Sequence, residues 1–290
     1  TLRASALFFV GRLRGPQAFE GTLVDGTRLQ FDLLDTAELG FTQLIQLGGD
    51  GAPSFTFAEY ILEHVSHNAG GAPPAGFANH RLSADLAVSL PELAGLRLYY
   101  EIAAEDLRDQ VWSMLRHDAD HVLGLEIERL APRIALLVEL TATGVRSHEH
   151  SLFTTGMTNA GRITGNPLGP SSTAAHVGLR LQLADGALLS PWLEIVHQSN
   201  DLYEDIDGHI TRTEDLPDEL RTRAGARAIF PFAPDLRLDV RVLVERVTGA
   251  DFIPDQTRWN AIADVAAIWT PGWGFGRESS GSLAPASVEF

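Results

Sequence analysis

The stretch Asp235-Leu-Arg-Leu-Asp-Val-Arg-Val-Leu-Val-Glu-Arg-Val247 sets Leu236, Leu238, Val240, Val242 and Val244 against Asp235, Arg237, Asp239, Arg241 and Glu245. Successive side chains of a β-strand point to opposite faces, so one side of this strand is hydrocarbon and the other is ionic. The apolar side meets either a protein core or a lipid bilayer.

The same alternation recurs along the chain. Arg81, Ser83, Asp85 and Ser89 oppose Leu82, Ala84, Leu86, Val88 and Leu90, and His176, Arg180 and Gln182 oppose Val177, Leu179, Leu181 and Leu183. The pattern predicts about twelve strands, near 2–13, 27–34, 37–46, 80–90, 96–104, 120–130, 133–145, 173–184, 187–198, 218–232, 235–247 and 257–270, mostly longer than is usual in soluble sheets. Short connectors such as Asp35-Thr36, Ala131-Pro132 and Ala233-Pro234 take turns with long ones such as 47–79, 146–172 and 199–217. That asymmetry is how an up-and-down outer-membrane barrel is built, with short periplasmic turns and long extracellular loops.

Trp259 and Trp269 fall on the apolar side of one strand. At ~3.3 Å per residue and a tilt of ~40° they stand roughly 25 Å apart along the barrel axis, the height of a lipid-facing band between two aromatic girdles. Phe230 and Phe232 join the periplasmic girdle. Tyrosine is scarce at 4 of 290 residues, which runs against the pattern.

The expectation is therefore an all-β fold: one antiparallel, up-and-down transmembrane β-barrel over residues 1–290, with a few short loop helices. A mean hydropathy near zero fits, because lumen-facing residues offset lipid-facing ones. No run of about 20 apolar residues forms a transmembrane helix. The absence of cysteine excludes disulfides and thiolate metal sites and is compatible with the cell envelope. A net charge of −16 argues against nucleic acid as a partner. The chain opens at Thr1 directly into a strand, which implies a leader already removed or an N-terminal part absent, and the terminal Phe290 suits recognition by the barrel-assembly machinery.

Five segments in order, Leu39-Gly-Phe-Thr-Gln43, Gly48-Gly-Asp-Gly-Ala-Pro53, Leu98-Tyr-Tyr-Glu-Ile-Ala-Ala-Glu-Asp106, Leu123-Gly-Leu-Glu126 with Glu139, and Gly161-Arg-Ile-Thr-Gly-Asn-Pro-Leu-Gly169, resemble the capsule-assembly Wzi family of bacterial outer-membrane proteins. The resemblance runs over about residues 37–184. It implies an outer-membrane barrel that binds capsular or exopolysaccharide at the cell surface, as a lectin and not an enzyme. The family barrel has more strands than the sequence here supplies, so the chain is expected to be a smaller relative or to lack N-terminal strands. The family carries several tyrosines before its Gly-Arg motif, where Ser151–Ala160 holds only Phe153.

Within the Gly161–Gly169 segment, Arg162 is a fixed cation with five donors, suited to carboxylates or sugar hydroxyls. The candidate polysaccharide-binding or pore-lining residues are Arg162, Gly161, Asn166, Glu101, Glu139 and Asp50, and the simpler reading pairs Arg162 with Glu139 or Glu101 in a loop that narrows the pore. Arg237, Asp239, Arg241 and Glu245 are expected to line the lumen. Asp205, Asp207 and Glu214 take places expected of a twelve-residue calcium loop, with Tyr203 where the first Asp belongs; the alternative is a solvated acidic loop. His117-Asp-Ala-Asp-His121 and His148-Glu-His150 are metal candidates or surface histidines. Ser54–Val65 and Asp106–Leu115 read as short amphipathic helices, lids on the mouth or elements buried against the barrel rim. A diffusion or uptake porin is the leading alternative function, and an outer-membrane hydrolase ranks last.

Overall fold

The computed structural model describes residues 2–66, 78–105, 111–148, 150, 152–160, 162–164, 166–183, 186–206, 209–233 and 235–269. Twelve long strands form one antiparallel sheet. In chain order they are β1 (Leu2–Arg12), β2 (Leu23–Leu33), β3 (Ala37–Leu47), β4 (Ala78–Leu90), β5 (Leu96–Glu105), β6 (Asp120–Ala131), β7 (Ile134–Ala142), β10 (Ser172–Gln182), β11 (Leu188–Gln198), β14 (Glu219–Ala233), β15 (Leu236–Thr248) and β16 (Thr257–Trp269). Each pairs with its neighbours in this order, an up-and-down meander whose ends are β1 and β16. Two small hairpins stand in the loops, β8 (Thr158–Asn159) with β9 (Arg162–Ile163) and β12 (Leu202–Ile206) with β13 (His209–Glu214). Helix α1 (Phe57–Ser66) lies between β3 and β4, and a short helical segment, Val111–Asp118, lies between β5 and β6.

All twelve expected strands are present. The main difference is β2, which begins at Leu23 and not near residue 27, because Asp25 and Gly26 read as turn residues. Gly26 stays in the strand for a packing reason: a Cβ there would lie 2.3 Å from the Phe9 ring. At the short-turn end the three-residue β2–β3 connection places Leu34 and Asp35 at φ 53° and 58°, the left-handed pair of a turn that the Thr36 N–H closes onto the Leu33 carbonyl.

Register assigns every side chain to a face. Asp239 pairs with Ile229, Arg241 with Arg227 and Glu245 with Arg223, so the charged rows of β14 and β15 share the inner face. The opposite face carries Leu98, Leu123, Leu140, Val177, Leu193 and Val242, each between 41% and 52% exposed. Trp259 and Trp269, both 65% exposed, stand on that outer face of β16 at opposite ends of the strand. Trp269 Nε1 donates to Asp235 at the short-turn end, where Phe230 and Phe232 are also exposed. The fully buried residues are few and lie toward the long-loop end, among them Ile45, Phe153, Met157 and Val196.

Among the described residues β1 and β16 each pair on one side only. The sheet nevertheless curls: the connection between β7 and β10, in mid-sheet, reaches the β1–β2 loop, where Phe153 meets Phe19 edge-on at 5.5 Å.

Candidate functional site

Four glycines on the inner face decide how the lumen is lined. A Cβ on Gly124 would lie 1.9 Å from the Tyr99 ring, one on Gly225 2.6 Å from the Trp192 indole, and one on Gly40 2.3 Å from the Asp85 carboxylate. Gly26 relates in the same way to Phe9. A glycine in a strand interior leaves a groove. Here each groove gives room to a side chain of a neighbouring strand, and across Gly124 and Gly40 that side chain meets the strand beyond. Tyr99 of β5 crosses Gly124 of β6 and donates to Glu139 of β7 at 2.6 Å. Asp85 of β4 meets Arg28 of β2 across Gly40, through two hydrogen bonds of 2.8 and 3.0 Å.

Charged pairs lace the remaining wall. Arg223 bridges Glu194 and Glu245, and Asp239, 3% exposed, accepts from both Arg227 and Arg241. All 22 basic residues of the chain are arginines, whose fixed fork suits such paired contacts.

The inner face of the strands from β5 to β16 borders an open cavity of about 1170 Å³. Tyr99, Trp192, His176, Arg180, Arg227, Arg241, Glu126, Glu139, Glu194 and Asp264 are on its wall, and Asn166, Pro167 and Leu168 enter from the 143–171 loop. Trp192 stacks on His176 with centroids 5.7 Å apart. The cavity thus combines two aromatic faces with fixed charges of both signs.

The 143–171 loop is seated on the inner wall. Asp120 Oδ1 accepts the Gly144 N–H and its Oδ2 the Ser147 hydroxyl, both at 2.8 Å, while Arg81 bridges Asp120 and Glu105. Glu105 also accepts the His148 N–H at 3.0 Å, and Gln46 donates to the Gly156 carbonyl. Farther along, Asn159 accepts from the Arg14 N–H and the Ala160 N–H donates to the Arg14 carbonyl, which ties the loop to the β1–β2 connection. His148 is 4% exposed, and neither ring nitrogen has a hydrogen-bond partner among the described residues. Burial, helped by the Arg81 charge, holds its pKa down at about 4, so the ring is neutral.

Several sequence expectations need correction. Arg162 pairs with neither Glu139 nor Glu101: it is exposed on β9, while Glu139 accepts from Tyr99. Asn166, Pro167 and Leu168 of the same loop segment line the cavity. Gly161 lies outside the described residues. Glu101 is on the inner face opposite Asp85 but away from the cavity wall, and Asp50 is an exposed partner of Glu20 in an isolated bridge. Arg241 reaches the cavity, Asp239 and Glu245 support the arginine lacing, and Arg237 is exposed at the short-turn end of β15. The stretch 117–121 is not a set of surface ligands. Asp118 holds Arg146, Asp120 seats the loop, and His121 contacts the Tyr100 hydroxyl and the Leu115 carbonyl. His150 accepts from the Leu152 and Phe153 N–H groups.

Tyr203–Glu214 folds as a hairpin, with Tyr203 opposite Arg212 and Glu214 opposite Leu202. The Asp205 backbone faces Ile210; Asp207, Gly208 and the Asp205 side chain lie outside the described residues. Among the described residues no group of three or more His, Asp or Glu is placed to hold a metal ion. Trp192 and Tyr99, the aromatic part of the cavity, escaped the sequence reading. Their signal was Gly124 and Gly225 inside otherwise regular strands.

The family model for capsule assembly protein Wzi matches residues 4–261. The chain belongs to the capsule assembly protein Wzi family. A solved structure similar to it is Wzi of Escherichia coli, described as an outer membrane protein involved in group 1 capsule assembly and a carbohydrate-binding β-barrel. The two share 16% identity at a TM-score of 0.63, over 91% of this chain and 54% of the other, so this chain spans about half the length of that relative. No curated protein matches the chain. Family membership and the shared fold make this an outer-membrane β-barrel of a bacterium, in agreement with its exposed apolar outer face.

Proposed function

We propose that the lumen cavity binds a segment of capsular or exopolysaccharide and holds it at the cell surface without chemical change. The observation that carries this reading is the pair of aromatic faces, Tyr99 and Trp192, pressed flat over Gly124 and Gly225 within a wall of paired arginines and carboxylates. Sugar rings present apolar C–H faces that stack on aromatics, and their hydroxyls accept and donate to fixed charged groups. The lacing holds those groups in place before any ligand arrives, which lowers the ordering cost of binding. The carbohydrate binding described for the E. coli relative supports the assignment. The surrounding lipid and the barrel-assembly machinery complete the set of partners in this reading.

Immobilised capsular polysaccharides, neutral and uronate-containing, test it with the purified protein. Trp192→Ala is expected to weaken retention by about tenfold, the loss of about 1.4 kcal/mol of stacking. Unchanged retention in both Trp192→Ala and Tyr99→Ala refutes the site.

A diffusion porin is the second reading, favoured by the size and charge of the cavity. Steady ohmic conductance in planar bilayers supports it. The seated 143–171 loop argues for little or none.

A further inference from the structure

Outward-pointing residues of a barrel strand ordinarily meet lipid, yet one row does not. Asp25, Ile45 and His80 are register partners across β2, β3 and β4, all on the outer face, and are 2%, 0% and 2% exposed. Helix α1 and the residue Phe55 before it cover Ile45 and Asp25. Phe55 and Tyr60 pack on Ile45, Leu47 and Ala78, and His64 Nε2 lies 3.2 Å from Asp25 Oδ1. The helix is a locally specified element: Thr56 Oγ1 accepts the Glu59 N–H at 3.2 Å while Glu59 accepts the Thr56 N–H at 2.6 Å, a reciprocal capping box. On the next strands, Met114 and Leu115 of the 111–118 segment pack on Ile102 and Ala104, also outer-face residues.

Helix α1 therefore sits outside the wall, and the 111–118 segment lies at its rim, with Met114 and Leu115 on the outer face and Asp118 holding Arg146 of the 143–171 loop. Each also exposes hydrocarbon: Phe57 is 79% exposed, Ile61 47%, Leu62 55%, Val111 52% and Trp112 84%. Directly below, the outer faces of the same strands expose Phe41, Leu86 and Leu98 at 44%, 47% and 41%. The apolar collar is thus continuous with the lipid-facing band.

We propose that α1 and the 111–118 segment form an interfacial collar that embeds in the outer leaflet of the membrane. Phe57, Ile61, Leu62 and Trp112 lie among the outermost acyl carbons, and the exposed Arg116 reaches the headgroup phosphates. The arrangement follows the general behaviour of interfacial helices, which bury one apolar side at the headgroup boundary, and of tryptophan and arginine at that depth. Lipid is the occupant because the collar continues a surface that already faces lipid. It also explains a buried polar group in the outer row: Asp25 stands where the hydrocarbon ends, and His64 of α1 shields it from the boundary.

The chain has no cysteine, so single-cysteine nitroxide labels are unambiguous. Phe57→Cys, Leu62→Cys and Trp112→Cys are compared in proteoliposomes with Val242→Cys on the lipid face and Asp215→Cys, whose side chain is 78% exposed in a loop. Collision with oxygen reports hydrocarbon, and collision with a nickel chelate reports water. The collar labels are expected to lose nickel access relative to Asp215→Cys and to read shallower than Val242→Cys. Nickel access equal to that of Asp215→Cys, in vesicles where Val242→Cys is protected, overturns the proposal. So does dipolar broadening between collar labels at high lipid-to-protein ratio, which assigns the surface to a second copy. The three labels occupy separate exposed positions, so loss of one variant leaves the comparison intact.

Discussion

Replacing Asp120 with alanine is expected to unseat the 143–171 loop while leaving the barrel formed. Asp120 is 4% exposed and its carboxylate accepts two bonds from the loop, from the Gly144 N–H and the Ser147 hydroxyl, besides pairing with Arg81. Arg81 retains Glu105 in the variant, so its charge stays paired and the loss falls mainly on the loop. Hydrogen bonds to a charged group contribute about 1.5–3 kcal/mol each, and deletion leaves a buried N–H and hydroxyl unsatisfied. A loss of about 3 kcal/mol in loop seating corresponds to about a hundredfold increase in the open population. Amide hydrogen exchange at residues 144–148 reads this directly and should accelerate by about that factor. Bilayer recordings should show transient openings more often than in the parent protein. Asp120→Asn keeps an acceptor for Gly144 but loses the charge and should fall between. Unchanged exchange at 144–148 in Asp120→Ala, with heat-modifiable migration proving an intact barrel, refutes the claim that this carboxylate seats the loop.

Acid should loosen the same loop. The seated His148 has a pKa of about 4 against an ordinary value near 6.5, so the seated state binds fewer protons than the open one; the stabilisation is whole above about pH 6.5 and is lost as pH falls toward 4, up to roughly 3 kcal/mol. Proteolysis of the loop across that range checks this, and His148→Gln should flatten the response; a profile equally steep without the histidine places the titration elsewhere. Gly225→Ala should displace the Trp192 indole, because the new Cβ meets it at 2.6 Å, and should weaken polysaccharide retention nearly as much as Trp192→Ala. A Gly225→Ala protein with parental tryptophan emission and parental retention contradicts the lacing account.

The sequence made the barrel legible because its determinant is local. A two-residue period needs only neighbouring side chains, and it located twelve strands, β15 most plainly, within a few residues. Loop functions were hidden because they depend on partners far along the chain. Asp120 reads as one acid of a histidine-rich stretch until Gly144 and Ser147 are brought to it, and Arg162 reads as a lumen cation until Tyr99 takes Glu139. The hairpin at 202–214 has the spacing of a metal loop but is built by cross-strand pairing, which spacing alone does not encode.

The interior glycines connect these two levels. In a water-filled barrel the inner face has no opposing layer to pack against, so a side chain must find its support along the wall. Gly40, Gly124 and Gly225 supply that support by omission: each lets a neighbour lie down, and the neighbour's far end is then fixed by a partner two strands away or by stacking. Rigidity of the wall and shape of the cavity thus come from the same residues. A substitution that fills one groove should therefore change what the lumen binds before it changes whether the barrel forms, and it is at these glycines, more than at the charged rows, that relatives with different ligands are expected to diverge.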